Sequence, residues 1–293
     1  SGSGKTLLSL CLIAWARRHG HSIQPFKVGP DYLDPQLLSL TATQSCRNLD
    51  LPLCGADWLQ LSFCGYGGSS EMALVEGVMG LFDGIGASSE GSTADVAKLL
   101  KLPVVLVVDA GGQARSLAAV VRGFRDLDPD LQLAGVVLNR VNSSRHRQLL
   151  EEVLSDIGVQ CLGCLPRDPS LELPSRHLGL APAHELRALQ IRQGRWASLA
   201  AQHLNMSLFR KLLQAPNPGP DPIHTVFSPV LETTKPDHPL PVAVAQDEAF
   251  HFRYPEMQEC LELLNMPVLP WSPLRDEPPP EQACGLILPG GFP

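Results

Sequence analysis

Hydrophobic positions along the chain come in short continuous blocks, not in alternation. Apolar runs at 25–28, 72–76, 104–109, 134–138 and 159–165 predict strands. Helical spacing occupies 5–19, 92–100, 117–124 and 145–157 between them. Strands that are apolar throughout are buried on both faces. Their alternation with helices predicts a parallel sheet covered on both sides, an α/β fold.

The pattern changes near residue 190. Eight prolines fall within the 26 residues from 216 to 241. So dense a run predicts an extended linker with neither helix nor central strand. An α/β pattern then restarts, with strands at 242–245, 268–269 and 285–288 and a helix at 256–264. With 293 residues, two domains are expected at roughly 100–200 residues each. The expected division is 1–190, a helical segment and proline-rich linker at 191–240, and the start of a second α/β domain at 241–293.

Composition narrows the function. The net charge of −7 argues against a nucleic-acid partner held by a basic surface. The longest apolar run, 102–110, is interrupted by Pro103 and Asp109. It falls far short of the ~18 residues of a membrane span. A soluble cytoplasmic enzyme, with neither nucleic acid nor membrane as partner, is expected. Eight cysteines include one C-x-x-C pair, Cys161 and Cys164. A zinc site would need two more ligands, and none is evident from spacing. Ordinary buried thiols in a reducing compartment are expected.

The chain opens on Ser1-Gly2-Ser3-Gly4-Lys5-Thr6, the end of a phosphate-binding loop. The glycines let backbone N–H groups converge on phosphate, and the following helix adds its dipole. Lys5 would reach the β- and γ-phosphates of ATP, and the Thr6 hydroxyl would ligate Mg²⁺. Lys27 and the carboxylates Asp31 and Asp34 crowd a loop after a strand, where open α/β sheets bind ligands. They read either as a Mg²⁺ site or as a turn. Glu76 ends an apolar strand and reads either as an acid reaching nucleotide-bound Mg²⁺ or as a strand cap; Asp83 follows in a glycine-rich segment. Asp109 reads equally as a further acid near the metal or as a cap. The Asn139 amide could pair with an adenine edge. Arg176 and His177 read as structural or catalytic polar groups.

Taken together, these stretches resemble the cobyrinic acid a,c-diamide synthase family, the glutamine-dependent amidotransferases of corrinoid biosynthesis. The resemblance is carried by SGSGKT at 1–6, FKVGPDYLDP at 26–35, RNLD at 47–50, EGVMGLFDG at 76–84 and GSTADVAKLL at 91–100. It continues through LPVVLVVDA at 102–110, GVVLNRVNSSRH at 135–146, LPSRHLGLAPAHE at 173–185, DEAFHFRYPE at 247–256, SPLRDE at 272–277 and LPGGFP at 288–293. It implies a dethiobiotin-synthetase-like phosphate-loop domain followed by the start of a class I glutamine amidotransferase domain. The implied reaction is ATP-dependent amidation of the a and c carboxylates of cobyrinic acid through acyl phosphates, with glutamine or ammonia as nitrogen donor.

The resemblance also implies residue roles. Gly2, Ser3, Gly4, Lys5 and Thr6 would hold ATP, with Asn139 on adenine. Thr6, Asp34 and Glu76 would form the Mg²⁺ region. Lys27 would neutralise the γ-phosphate or a substrate carboxylate. Asp31, Tyr32, Leu33 and Asp83 would face the corrinoid. Lys27, Arg47, Arg176 and His177 are the expected positive charges for a polycarboxylate. Hydrogenobyrinic acid or a nickel-sirohydrochlorin are alternative substrates, and relatives suggest a homodimer. Both chain ends are expected to lie inside structured elements, with the glutaminase cysteine and histidine beyond Pro293. A partitioning-type ATPase shares the fold; GPDYLDP and the second α/β segment argue against it. Retained Lys5, Thr6, Asp34 and Glu76 argue against a non-catalytic regulator.

Overall fold

The computed structural model describes residues 2–168, the backbone of 175–176 and 179–180, and residues 189–234 and 236–291, without the side chains of 232–234. The phosphate loop runs into α1 (Lys5–Arg18). There follow β1 (Ile23–Val28), α2 (Asp34–Ala42), β2 (Arg47–Leu49), α3 (Leu51–Gly67, interrupted at Gly55) and β3 (Met72–Glu76). The second run is α4 (Thr93–Leu99), β4 (Val104–Asp109), α5 (Leu117–Asp126), β5 (Leu133–Val141), α6 (Ser144–Asp156) and β6 (Cys161–Pro166).

All pairings in these six strands are parallel, in the orders β2-β1-β3 and β4-β5-β6. The expected α/β architecture with parallel sheets is therefore present. A largely apolar cavity of about 420 Å³ lies between β3 and β4, lined by residues 73–77, 104–109, Leu8, Leu12 and Phe209. It reaches the phosphate loop at Ser3 and Lys5. Short β7 (Ser175–Arg176) and β8 (Gly179–Leu180) pair antiparallel.

Helices α7 (Leu189–His203) and α8 (Met206–Leu212) come next. Their buried Trp196, Ala197, Ala200 and Phe209 join Leu10, Ile13 and Trp15 of α1 in one core cluster. This apolar packing holds the phosphate-loop helix from behind.

The proline-rich stretch contains a helix, contrary to expectation: α9 (Pro222–Thr234). Position explains it. Pro222 sits in the first turn, where its missing N–H costs nothing. Asp221 accepts from the His224 N–H at 2.8 Å and satisfies an orphan donor. Pro229 lies inside the helix, where it removes one hydrogen bond.

The chain closes with β9 (Val242–Ala245), α10 (Pro255–Leu263), β10 (Val268–Trp271) and β11 (Gly285–Ile287). These strands are again parallel, in the order β10-β9-β11. Among the described residues, no helix is long and apolar enough to cross a membrane.

Candidate active site

Gly4 caps α1 in the left-handed region, with φ 103°, and, among the described residues, no side chain caps the first-turn N–H groups. No acidic residue stands in that turn either. The amide donors and the positive end of the helix dipole are thus left to a ligand, which suits phosphate. Asn139, at the end of β5, holds this loop: its Nδ2 donates to the Ser3 carbonyl at 2.9 Å. A Cβ on Gly4 would lie 2.2 Å from that nitrogen, so glycine is required for the approach as well as for its φ. Lys5 Nζ donates to the Met79 carbonyl at 2.6 Å. Burial, then the neighbouring Lys27, lowers the Lys5 ammonium below its ordinary value.

β1 and β3 are register neighbours, with Lys27 opposite Glu76. That pairing builds the charged centre. Lys27 Nζ lies 2.8 Å from Glu76 Oε1, 2.5 Å from Asp34 Oδ2 and 3.4 Å from Asp31 Oδ2. Thr6 Oγ1 donates to Glu76 Oε1 at 2.9 Å and lies 3.5 Å from Asp34 Oδ2. The phosphate-loop threonine, the loop after β1 and the end of β3 therefore meet at one point.

Burial alone would lower Lys27, but Glu76, Asp34 and Asp31 together outweigh it and hold the ammonium above its ordinary value. Asp31 and Asp34 are pushed upward, first by burial. The charge of Asp34 adds to this at Asp31, and that of Glu76 at Asp34, while Lys27 opposes both. Three carboxylates around one ammonium leave excess negative charge. Glu76 Oε2 is buried and has no hydrogen-bond partner among the described residues. A hydroxyl and two carboxylates, one of them with an orphaned oxygen, form the hard-oxygen donor set that Mg²⁺ prefers, so Thr6, Asp34 and Glu76 fit that ion.

Asp31 also shapes the backbone. Its Oδ1 accepts from the N–H groups of Leu33 and Asp34 at 2.9 and 3.1 Å, capping the start of α2. Tyr32 stacks with both Phe252 and Tyr254, with centroids 5.2 and 5.0 Å away. Leu33 is buried. Asp83 is exposed, and its Oδ2 accepts from the Gly80 N–H at 2.8 Å. Asp109 is bound to Gly111 N–H and Arg140, as a cap would be.

Arg47 corrects an expectation. Its guanidinium is not offered to a polycarboxylate, because Glu259 takes Nη2 at 2.5 Å and Nη1 at 2.9 Å. Glu256 lies 3.3 Å away, and the cation sits 3.8 Å over the Tyr66 ring. The segments that meet are β2 and α10, 212 residues apart in the pair. His177 and the side chain of Arg176 lie outside the described residues.

Two positioning residues were not singled out by spacing. Asn48 donates to the Gly29 and Asp31 carbonyls, both at 2.8 Å, and fixes the loop after β1. Thr93 Oγ1 accepts from Val78 N–H at 3.1 Å and fixes the loop after β3. Both lie within the family-like stretches, which was the available signal.

A family profile described as the CobQ/CobB/MinD/ParA nucleotide binding domain matches residues 1–180. The chain belongs to this family. As a member of the CobQ/CobB/MinD/ParA family, it carries the phosphate loop and the Lys27 centre inside the matched region. Over 294 residues it is 40% identical to a cobyrinate a,c-diamide synthase of Synechococcus sp.. It is 42% identical over 295 residues to one of Syntrophotalea carbinolica. It is also 40% identical over 301 residues to a hydrogenobyrinate a,c-diamide synthase of Mycobacterium bovis. These alignments take in 100% of this chain and 64%, 63% and 64% of those proteins. The chain thus spans a little under two thirds of the length of these curated relatives.

Proposed function

We propose that this chain carries the ATP-dependent amidation of the a and c carboxylates of cobyrinic acid, with ammonia, free or from glutamine, as nitrogen donor. The observation that carries the reading is the Glu76 carboxylate beside the phosphate loop, whose Oε1 meets Thr6 and Lys27 while its buried Oε2 has no partner among the described residues. The names of the relatives supply the substrate class.

The chemistry fits these residues. A carboxylate is a poor electrophile. Transfer of the γ-phosphoryl group to it gives an acyl phosphate, which ammonia opens with loss of phosphate. Such transfer needs positioning and charge neutralisation above all. The N–H groups at Gly2–Lys5 hold the phosphates, and Lys5 exchanges the Met79 carbonyl for a phosphate oxygen. Mg²⁺, held by Thr6, Asp34 and Glu76, would supply charge neutralisation on the phosphates. Lys27 fixes the acids and screens their charge from the incoming carboxylate. Asn139 holds the loop under the nucleotide and has a second N–H for the adenine edge. Asp31, Tyr32, Leu33 and Asp83 belong to the two loops at the mouth, where the macrocycle would dock. The C-terminal segment, 241–293, is read as the opening of the amidotransferase domain, 191–240 as its connection and 1–190 as the synthetase domain. A homodimer is part of the same reading.

The test is to incubate the protein with ATP, Mg²⁺, ammonium and cobyrinic acid, then weigh the corrinoid. Two successive ATP-dependent replacements of OH by NH₂ are expected. Parallel arms with hydrogenobyrinic acid and nickel-sirohydrochlorin assign the macrocycle. ATP hydrolysis with no mass change on any of them would transfer the reading to a partitioning-type ATPase.

A further inference from the structure

The C-x-x-C pair is not absorbed by the amidation site. In a regular strand, residues i and i+3 point to opposite faces. β6 is not regular there. Its register against β5 slips, so that Val136 faces Cys161 while Val137 faces Gly163. This bulge turns Leu162 into the α1 and α7 core and puts Cys161 and Cys164 together on the α6 face. The two Sγ atoms stand 3.8 Å apart. Both thiols are free.

α6 brings a third donor. A Glu151 carboxylate oxygen and the two sulfurs all lie within 4.8 Å of one another. Spacing could not reveal this, because Glu151 reaches the pair from the preceding helix. Two thiolates sharing one tetrahedral zinc, each at ~2.3 Å, stand about 3.8 Å apart. The observed separation is the same. The charge also closes: two thiolates and a carboxylate carry three negative charges, and a divalent cation plus Arg147 carry three positive. Arg147 Nε is bound to Glu151 Oε1 at 2.8 Å, and a carboxylate has further lone pairs for a metal. Cys164 is buried, whereas Cys161 on the edge strand and Glu151 on α6 are half-buried, so a cation can enter from solvent.

We propose that Cys161, Cys164 and Glu151 bind one thiophilic divalent cation of the zinc class, with water completing the tetrahedron. The cation would clip α6 to the edge of the sheet. Soft sulfur donors select it over Mg²⁺, so the two cation sites of the chain would not compete.

The test uses tag-free, reduced protein in which the exposed Cys54 and Cys284 are changed to Ser. Cd²⁺ is the probe. One Cd²⁺ per chain is expected, with a thiolate-to-cadmium ultraviolet band, a raised Tm and displacement by Zn²⁺. Cys161→Ser should abolish the band. Glu151→Gln, a half-exposed change that preserves the sulfurs, should weaken binding at least ~10-fold. No uptake by the reduced protein, or an unaltered band in Cys161→Ser, would overturn the site. Full affinity in Glu151→Gln would remove the carboxylate from it. Loss of two hydrogens to an internal disulfide, with no cation uptake by the reduced form, would make the pair a redox couple instead.

Discussion

Two buried cations stand on neighbouring strands and are used in opposite ways. Lys27 on β1 gathers three carboxylates, one of which keeps an orphaned oxygen. Arg47 on β2 gathers two, grips Glu259 with both terminal nitrogens and lies flat on Tyr66. The side chains explain the difference. An ammonium is a point charge that several acids can share, whereas a guanidinium is a planar fork that matches one carboxylate face to face. Both centres keep buried atoms without a hydrogen-bond partner among the described residues, Glu76 Oε2 in the first and Arg47 Nε and Glu256 Oε1 in the second, but the first lies beside the phosphate loop, where a ligand can complete it. The second is a joint between distant segments.

That contrast can be tested in descending order of effect. Lys27→Met leaves buried carboxylates without their cation and should cost about 3–5 kcal/mol in denaturant unfolding, with loss of ATP-dependent turnover. Asp31 and Asp34 are already shifted upward, and removing Lys27 raises them further. A raised carboxyl favours the fold while protonated, and that gain is lost as pH rises through the shifted value. The Lys27→Met deficit should therefore shrink as pH falls toward the carboxylate range. A deficit that grows on acidification would break the assignment.

Arg47→Lys keeps the charge and loses the fork. It should cost about 1.5–3 kcal/mol of stability. Nucleotide affinity in a fluorescence titration should not change, since the joint is not the phosphate site. A matching loss of ATP affinity would merge the two centres into one. Glu76→Gln should act the other way, raising the Mg²⁺ needed for nucleotide binding about tenfold. Its readout is a Mg²⁺ titration at fixed ATP. The smallest effect belongs to Tyr32→Leu, which removes a ring stacked on two others and should cost ~0.5–1.5 kcal/mol. Tyr32→Phe should retain most of that in a thermal melt.

Much of this was legible in the chain. Strands buried on both faces read as plain apolar runs, so β3 and β4 are found at 72–76 and 104–109 as expected. Lys5 and Thr6 were legible from the phosphate-loop pattern, whereas spacing left Asp34 and Glu76 open and only the family resemblance grouped them with it. What spacing could not show was geometry across the chain. Proline count predicted an extended linker, but Pro222 at a first turn is compatible with a helix. Arg47 read as a free positive charge because its partners lie more than 200 positions away. The nearness of Glu151 to the C-x-x-C pair was not evident because it stands on another element and the bulge at 161–163 has no sequence signature.

The joint also bears on how the molecule folds. The Arg47–Glu259 pair closes a loop of 212 residues, and Tyr32 meets Phe252 across a similar span. Local helices and neighbouring strands need no such closure and form first, because long-range contacts must overcome the entropy of bringing distant segments together. The joint is therefore expected to form late. Its stabilisation falls on the native side of the folding barrier, so it sets how slowly the protein comes apart more than how fast it assembles.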